Sequence, residues 1–235
     1  MLLNVKHEQD LGQAILRLSG YQVDGVIAVA GSLPVEGFEQ CLRLSLPLVT
    51  LGRADERGII PSVQTDNVQA GRLAAEHLIR LGITKLGFIA GRQDGSASNE
   101  RYQGFKNVVE KQLGFIPERL CAQSYGYSAG FELAIREIET IRELDGIFCA
   151  SDALAMGVLD SCRDIARIPV PEQLRIVGCD NVPQAAWQGY QLTTIAQPVN
   201  EIAKTVMEKL NSIGSNHAYT PADTRLSPRL KVRST

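Results

Sequence analysis

Arg101 and Asp180 are the residues of this chain best placed for polar recognition. Arg101 stands in the first turn of a helix that follows the loop 91–99, where its guanidinium can offer a planar fork of donors to two ligand oxygens. A solvated surface charge is the other reading of an arginine at such a position. Asp180 follows the apolar run 174–179. Ligands gather at the C-terminal ends of parallel strands, and a carboxylate there can accept from two hydroxyls. The pair Asp180-Asn181 serves equally as a cap for a short helix over 182–188. Both residues bind rather than react. The chain has no Gly-rich strand-to-helix fingerprint, no phosphate loop ending in GK[ST] and no G-x-S-x-G elbow. Hydride transfer, nucleotide hydrolysis and acyl transfer therefore lack their usual scaffolding, and no enzyme is expected. His7, His77 and His217 are isolated, and no CxxC or His/Cys cluster is present, so no metal site or cofactor is expected either.

The elements that must carry these residues follow from periodicity. Short apolar runs alternate with amphipathic stretches of helical length, the pattern of a parallel sheet with crossover helices in an α/β protein. The runs predict strands over 2–5, 25–30, 48–52, 85–90, 146–150, 174–179 and 192–195, with an extended stretch near 120–124. Helices are predicted over 9–18, 68–81, 100–113, 129–138, 153–165 and 199–213. The clearest is 68–81: Asp66 and Asn67 offer caps, Leu73, Ala74, Leu78 and Leu81 form one stripe, and Gly82 supplies the left-handed stop.

With 235 residues, of which 44% are hydrophobic and 21% charged, the chain has material for one large or two small domains. A formal charge of −2 provides no basic face for neutralising phosphates, so the chain is not expected to bind nucleic acid by itself. Five scattered cysteines, mostly inside apolar runs, read as reduced thiols of a cytosolic protein. The opening MLLNVKHEQD reads neither as a signal peptide nor as a transmembrane segment, which predicts a cytoplasmic location and no membrane partner. Finally, VDGVIAVA (23–30) and LDGIFCAS (144–151) echo each other, each placing a D-G turn before a buried strand. Two similar lobes explain the echo; two simply unequal lobes are the other possibility.

Eight stretches in order resemble the lactose-repressor (LacI/GalR) family. They are VDGVI (23–27), TDN (65–67) with HLIRLG (77–82), KLGFIAG (85–91), SNERYQGF (98–105), CASDALAMG (149–157), IVGCDN (176–181), LTTIAQP (192–198) and LSPRLKVRS (226–234). The resemblance implies a type I periplasmic binding protein-like fold, with two similar doubly wound parallel-sheet lobes joined by three crossovers near Asp66, Gln197 and Arg225. The first lobe is expected to comprise 1–66 and 197–224 and to lack its opening strand and helix; the second comprises 67–196 and 225–235. Ile83 departs from the family, whose members commonly carry a histidine there.

The resemblance also implies a small polar effector, a sugar or sugar derivative, held between the lobes. Its ligand-binding set is Arg101, Asp180, Tyr125, Asp66, Gln197, Ser98 and Ser151. Tyr125 matches a position where the family often places an aromatic ring; a packing tyrosine is the plainer reading. Asp66 also reads as a helix cap, and Gln197 as a partner for backbone. No chemistry is assigned to the Ala153–Gly157 stretch. The implied protein is a cytoplasmic repressor acting as a homodimer, with operator DNA contacted only through an N-terminal helix-turn-helix absent from this sequence. A transport-system sugar-binding protein is the alternative.

Overall fold

Apolar segments of this chain pair as parallel strands, and amphipathic segments cover them. The computed structural model describes residues 20–21, 23–29, 39, 41, 43–52, 58–216 and 222–235. The elements in chain order are β1 (Val26–Val29), β2 (Leu48–Leu51), β3 (Ser62–Thr65), α1 (Asn67–Arg80), β4 (Leu86–Ala90), α2 (Ser96–Leu113), β5 (Glu118–Cys121), α3 (Tyr127–Arg136) and α4 (Ile138–Arg142). They continue with β6 (Gly146–Cys149), α5 (Asp152–Asp160), β7 (Arg175–Asp180), β8 (Thr193–Ala196), α6 (Val199–Asn216), β9 (Asp223–Leu226) and β10 (Arg229–Lys231). The strand expected over 2–5 and the helix expected over 9–18 lie outside the described residues.

The chain divides into two units, one formed by the described residues up to Thr65 with Pro198–Leu226, the other by Asp66–Gln197 with Ser227–Thr235. In the first unit β1, β2, β3 and β9 lie in that order and all run parallel. Ile202, Val206 and Ile213 of α6, at helical spacing, bury against Val49 and Val63. Strand β3 was not expected, because Ser62-Val-Gln-Thr65 is no apolar run. Its polar side chains are nonetheless buried: Ser62 Oγ and Gln64 Nε2 donate to Asp223 at 2.7 and 2.8 Å across the β3–β9 pair.

In the second unit the order is β10-β8-β7-β6-β4-β5, parallel except for the antiparallel β10–β8 pair. Side chains alternate across this sheet. Phe88 and Phe148 point toward Phe105 of α2, with ring centroids 6.2 and 5.7 Å away, while α3 and α5 pack together and α5 covers β6 and β7. Both edge strands, β5 and β10, expose charged side chains: Glu118 and Arg119 on one, Arg229 and Lys231 on the other.

Three helices differ from expectation. Helix α2 begins at Ser96 rather than 100, the 129–138 segment breaks at Glu137 into α3 and α4, and α5 ends at Asp160 and passes into one π-helical turn, Ser161–Ile165. Gly82 adopts φ +82° just beyond α1, the left-handed conformation its position required.

Helices α1 and α2 touch backbone to backbone. A Cβ at Gly71 would lie 1.9 Å from the Arg101 carbonyl oxygen, and one at Gly104 would lie 2.0 Å from that of Val68. Alanine at either position forces the helices apart. Gly104→Ala is expected to lower stability by about 1–3 kcal/mol, outweighing the roughly 1 kcal/mol by which alanine is the better helix former. Urea denaturation measures this, and a variant at least as stable as the parent would show that the close approach carries no packing energy.

Candidate functional site

Parallel pairing sends the C-terminal ends of β4, β5, β6, β7 and β8 to one edge of the second unit's sheet. The chain passes from β4 outward to β5, then returns to the opposite side of β4 for β6, β7 and β8. Loops leaving β4 and β6 therefore diverge, and the crevice between them is the topological switch point of the sheet.

Arg101 spans this switch point. Its side chain is buried, with the residue only 7% exposed, so the surface reading is excluded. Nε donates to Asn67 Oδ1 at 2.9 Å, and Nη1 donates to the carbonyl oxygen of Ala150, just beyond β6. Asn67 in turn donates to Glu100 Oε2 at 3.3 Å. Neither bond of Arg101 uses Nη2. The guanidinium thus joins the start of α1, the second turn of α2, rather than the first turn expected, and the end of β6.

Asp180 ends β7 with φ +133°, and Asn181 follows at φ +60°. Two successive non-glycine residues in this region cost roughly 1–3 kcal/mol each, so the surroundings must hold them there. Gln197 donates from Nε2 to Asp180 Oδ1 at 2.6 Å, bringing two residues of the expected set together. Burial raises the Asp180 carboxyl above its ordinary 3.8, opposed first by the charge of Arg101 and then by the Gln197 hydrogen bond. The expected capping role is not realised. The helix that follows is a short 3-10 turn, Pro183–Ala186, whose cap position is Val182 and which has no side-chain cap.

The remaining members of the set are placed as follows. Asp66 caps α1, accepting from the Gln69 amide at 2.9 Å through Oδ1. Ser151 caps α5: its hydroxyl accepts from the Leu154 amide at 3.2 Å and donates to the Tyr125 carbonyl at 3.0 Å. The Tyr125 ring lies over Gly91 and Gly95, where added Cβ atoms would come within 2.4 Å of the ring and 2.0 Å of its hydroxyl. Glycine at 91 and 95 leaves the room that the ring and its hydroxyl occupy. Ser98 is fully buried, and its hydroxyl has no hydrogen-bond partner among the described residues. Among the described residues, no group of three or more His, Cys, Asp or Glu side chains could hold a metal ion.

Four supporting residues escaped the sequence reading in this role: Asn67, read only as a cap and found as the first residue of α1, Asp152, Thr194 and Arg233. Asp152 is fully buried behind Asp180, accepting from the Val182 amide at 2.9 Å and from the Thr194 hydroxyl at 2.5 Å. Arg233 donates to Asn181 Oδ1 at 2.7 Å and to the Leu192 carbonyl at 2.6 Å. A charge inside the otherwise apolar stretch 152–159 was the available signal for Asp152; the other three carried none.

Residues 75–235 match the model of the periplasmic binding protein-like domain. The chain belongs to that family. Within it the similarity is to LacI-family transcriptional regulators, as the eight sequence stretches implied. The ribose operon repressor of Halalkalibacterium halodurans is 32% identical over 180 residues, which are 77% of this chain and 52% of the repressor. The catabolite control protein A of Priestia megaterium is 27% identical over 99% of this chain and 71% of its own length. The chain thus spans little more than half of the first of these relatives. A solved LacI-family regulator from Enterococcus faecalis V583, with bound ribose, superposes with a TM-score of 0.85 at 25% identity, covering 98% of this chain and 83% of that one. No helix among the described residues is long and apolar enough to cross a membrane.

In this periplasmic binding protein-like chain Asp152 is also the buried acid with the clearest pH signature. Burial pushes its carboxyl from 3.8 up to about 6, against the hydrogen bonds from Thr194 and Val182, and the negative charge of Asp180 adds to the rise. A folded-state value above the unfolded one means that the folded protein holds this proton more tightly. The resulting stabilisation is complete below about pH 4 and is lost as pH rises through about 6, a change of about 3 kcal/mol. Asp152→Asn removes this titration. Denaturation of both proteins from about pH 4 to about pH 7 should show the parent losing stability relative to the variant, and parallel curves would contradict the assignment.

Proposed function

We propose that this chain is the effector-sensing part of a DNA-binding transcription repressor, and that a sugar or sugar derivative binds at the switch-point edge of the second unit. The observation that carries this reading is the convergence there of Arg101 and Asp180. A cation and a carboxylate meet at one sheet edge, each held rigidly by neighbours, with an aromatic ring on the adjoining loop. This is a donor and acceptor set suited to a polyhydroxylated ligand with one apolar face. The Asp180 carboxylate takes hydrogen bonds from Gln197 and the Asp152 amide and has lone pairs left to accept from a ligand hydroxyl; Arg101 Nη2 can donate to a ligand oxygen. Tyr125 stacks on the apolar face, while Asp66, Gln197, Ser98 and Ser151 complete the surroundings.

The relatives support the regulatory half of the reading, since those described above are named as a repressor, a control protein and a transcriptional regulator. In this reading the protein is a cytoplasmic homodimer without catalytic activity. Operator contact belongs to a helix-turn-helix outside these 235 residues, in keeping with a net charge of −2 within them. Effector binding acts by favouring one conformation of the protein over another.

A melting-temperature screen against sugars, sugar phosphates, nucleobases and amino acids identifies the ligand, because one at about a hundred times its dissociation constant adds roughly 2.7 kcal/mol. The site is tested with conservative variants, since alanine at buried Arg101 would strand its partners. Asp180→Asn and Arg101→Lys should each weaken calorimetric binding of D-ribose about tenfold to a hundredfold, the value of a hydrogen bond to a charged group. Unchanged affinity in both folded variants would remove these residues from the site.

A further inference from the structure

The strained turn that presents Asp180 is held by a carboxylate that stands outside the expected binding set. Asp180 and Asn181 both have positive φ, at +133° and +60°, a conformation that side-chain-bearing residues keep only under constraint. The constraint comes from α5 and β8. Asp152 Oδ2 accepts from the amide of Val182, fixing the residue after the strained pair, and Oδ1 accepts from the Thr194 hydroxyl. The same hydroxyl accepts from the Asn181 amide at 3.3 Å. One threonine oxygen therefore relays between the buried carboxylate and the strained backbone. Gly178, two residues before Asp180 and level with Thr194 in the β7–β8 pair, makes the room: a Cβ there would lie 2.2 Å from Asp152 Oδ1.

The chemistry asks for a carboxylate. Its oxygens meet the Val182 amide and the Thr194 hydroxyl, with the Asn181 amide as a further donor, and no acceptor facing Asp152 is among the described bonds. An ionised acid meets two donors with two acceptor oxygens, whereas an amide side chain would turn its NH2 toward one of them.

We infer that Asp152, acting through Thr194 and the Val182 amide, is the positioning residue that holds Asp180 in its ligand-facing conformation. The inference rests on the effector reading of Asp180 and adds a residue that touches no ligand. Loss of the brace lets the turn relax to ordinary backbone, and Asp180 swings out of register although its own side chain is unaltered.

Truncating Asp152 strands buried donors and threatens folding, so Thr194 is the better place to test. Thr194→Val keeps the shape and removes the relay, and Thr194→Ser restores it. In the ligand-free protein, hydrogen exchange at the Asn181 and Val182 amides should rise at least about tenfold in Thr194→Val and stay near the parent rate in Thr194→Ser. Titration with D-ribose should show Thr194→Val weakened about tenfold, Thr194→Ser within about twofold of the parent, and Thr194→Val adding little to Asp180→Asn. Unchanged exchange at residues 181 and 182, or an equal loss of affinity with and without the Asp180→Asn change, would overturn the inference. Absence of D-ribose binding by the parent would count against the effector reading, while the exchange rates alone would still decide whether the brace exists.

Discussion

A buried guanidinium needs acceptors held in fixed places, and at Arg101 that requirement organises the whole binding edge. An isolated cation inside a protein is costly, so its donors need acceptors whose positions do not drift. Asn67 and the Ala150 carbonyl provide them from opposite sides of the switch point, and Asp180 lies close enough for the Arg101 charge to oppose the effect of its burial. The first residue of α1, the second turn of α2 and the end of β6 are thereby fixed to one another. The close approach of α1 and α2 at Gly71 and Gly104 serves the same end, because it is the backbone of Arg101 itself that Gly71 admits.

Both sheets satisfy polar interior groups with a carboxylate that, when ionised, accepts from them. Asp223 gathers Ser62, Gln64 and Arg225, and these hydrogen bonds hold its carboxyl below the ordinary value despite partial burial. Asp152 gathers Thr194 and the Val182 amide, but complete burial outweighs those bonds and its carboxyl rises. Depth and charge together decide the sign: Asp152 has lost more water and faces the negative charge of Asp180, whereas Asp223 keeps some water and pairs with the Arg225 cation.

Where an element was legible in the sequence, an unbroken apolar run or stripe was the reason. Strands β4, β6 and β7 and helix α1 lie within a residue or two of their predicted spans, because parallel strands covered on both faces are apolar throughout. Strand β3 is just as buried, yet its Ser62 and Gln64 are satisfied by an aspartate far away in sequence, which no local pattern can reveal. The chemistry of Arg101 and Asp180 was readable from residue type and position. Their burial and strain were not, because those depend on Asn67, Ala150 and Gln197, brought near only by the fold. Asp152 drew no attention for the same reason: its partners sit on a loop and a strand that the sequence does not join to it.

The two margins of the six-stranded sheet bear on how the protein behaves when crowded. An unpaired strand edge is a template onto which another chain can dock its backbone, and sheets with bare, flat, apolar margins polymerise. Here one margin is a four-residue strand with Glu118 and Arg119 facing water, and the other is a three-residue antiparallel strand flanked by Arg229 and Lys231. Each is too short and too charged to recruit a stranger. The apolar strands β4, β6, β7 and β8, which would be hazardous at a margin, are enclosed between these two guards, so the folded sheet resists growth by strand addition.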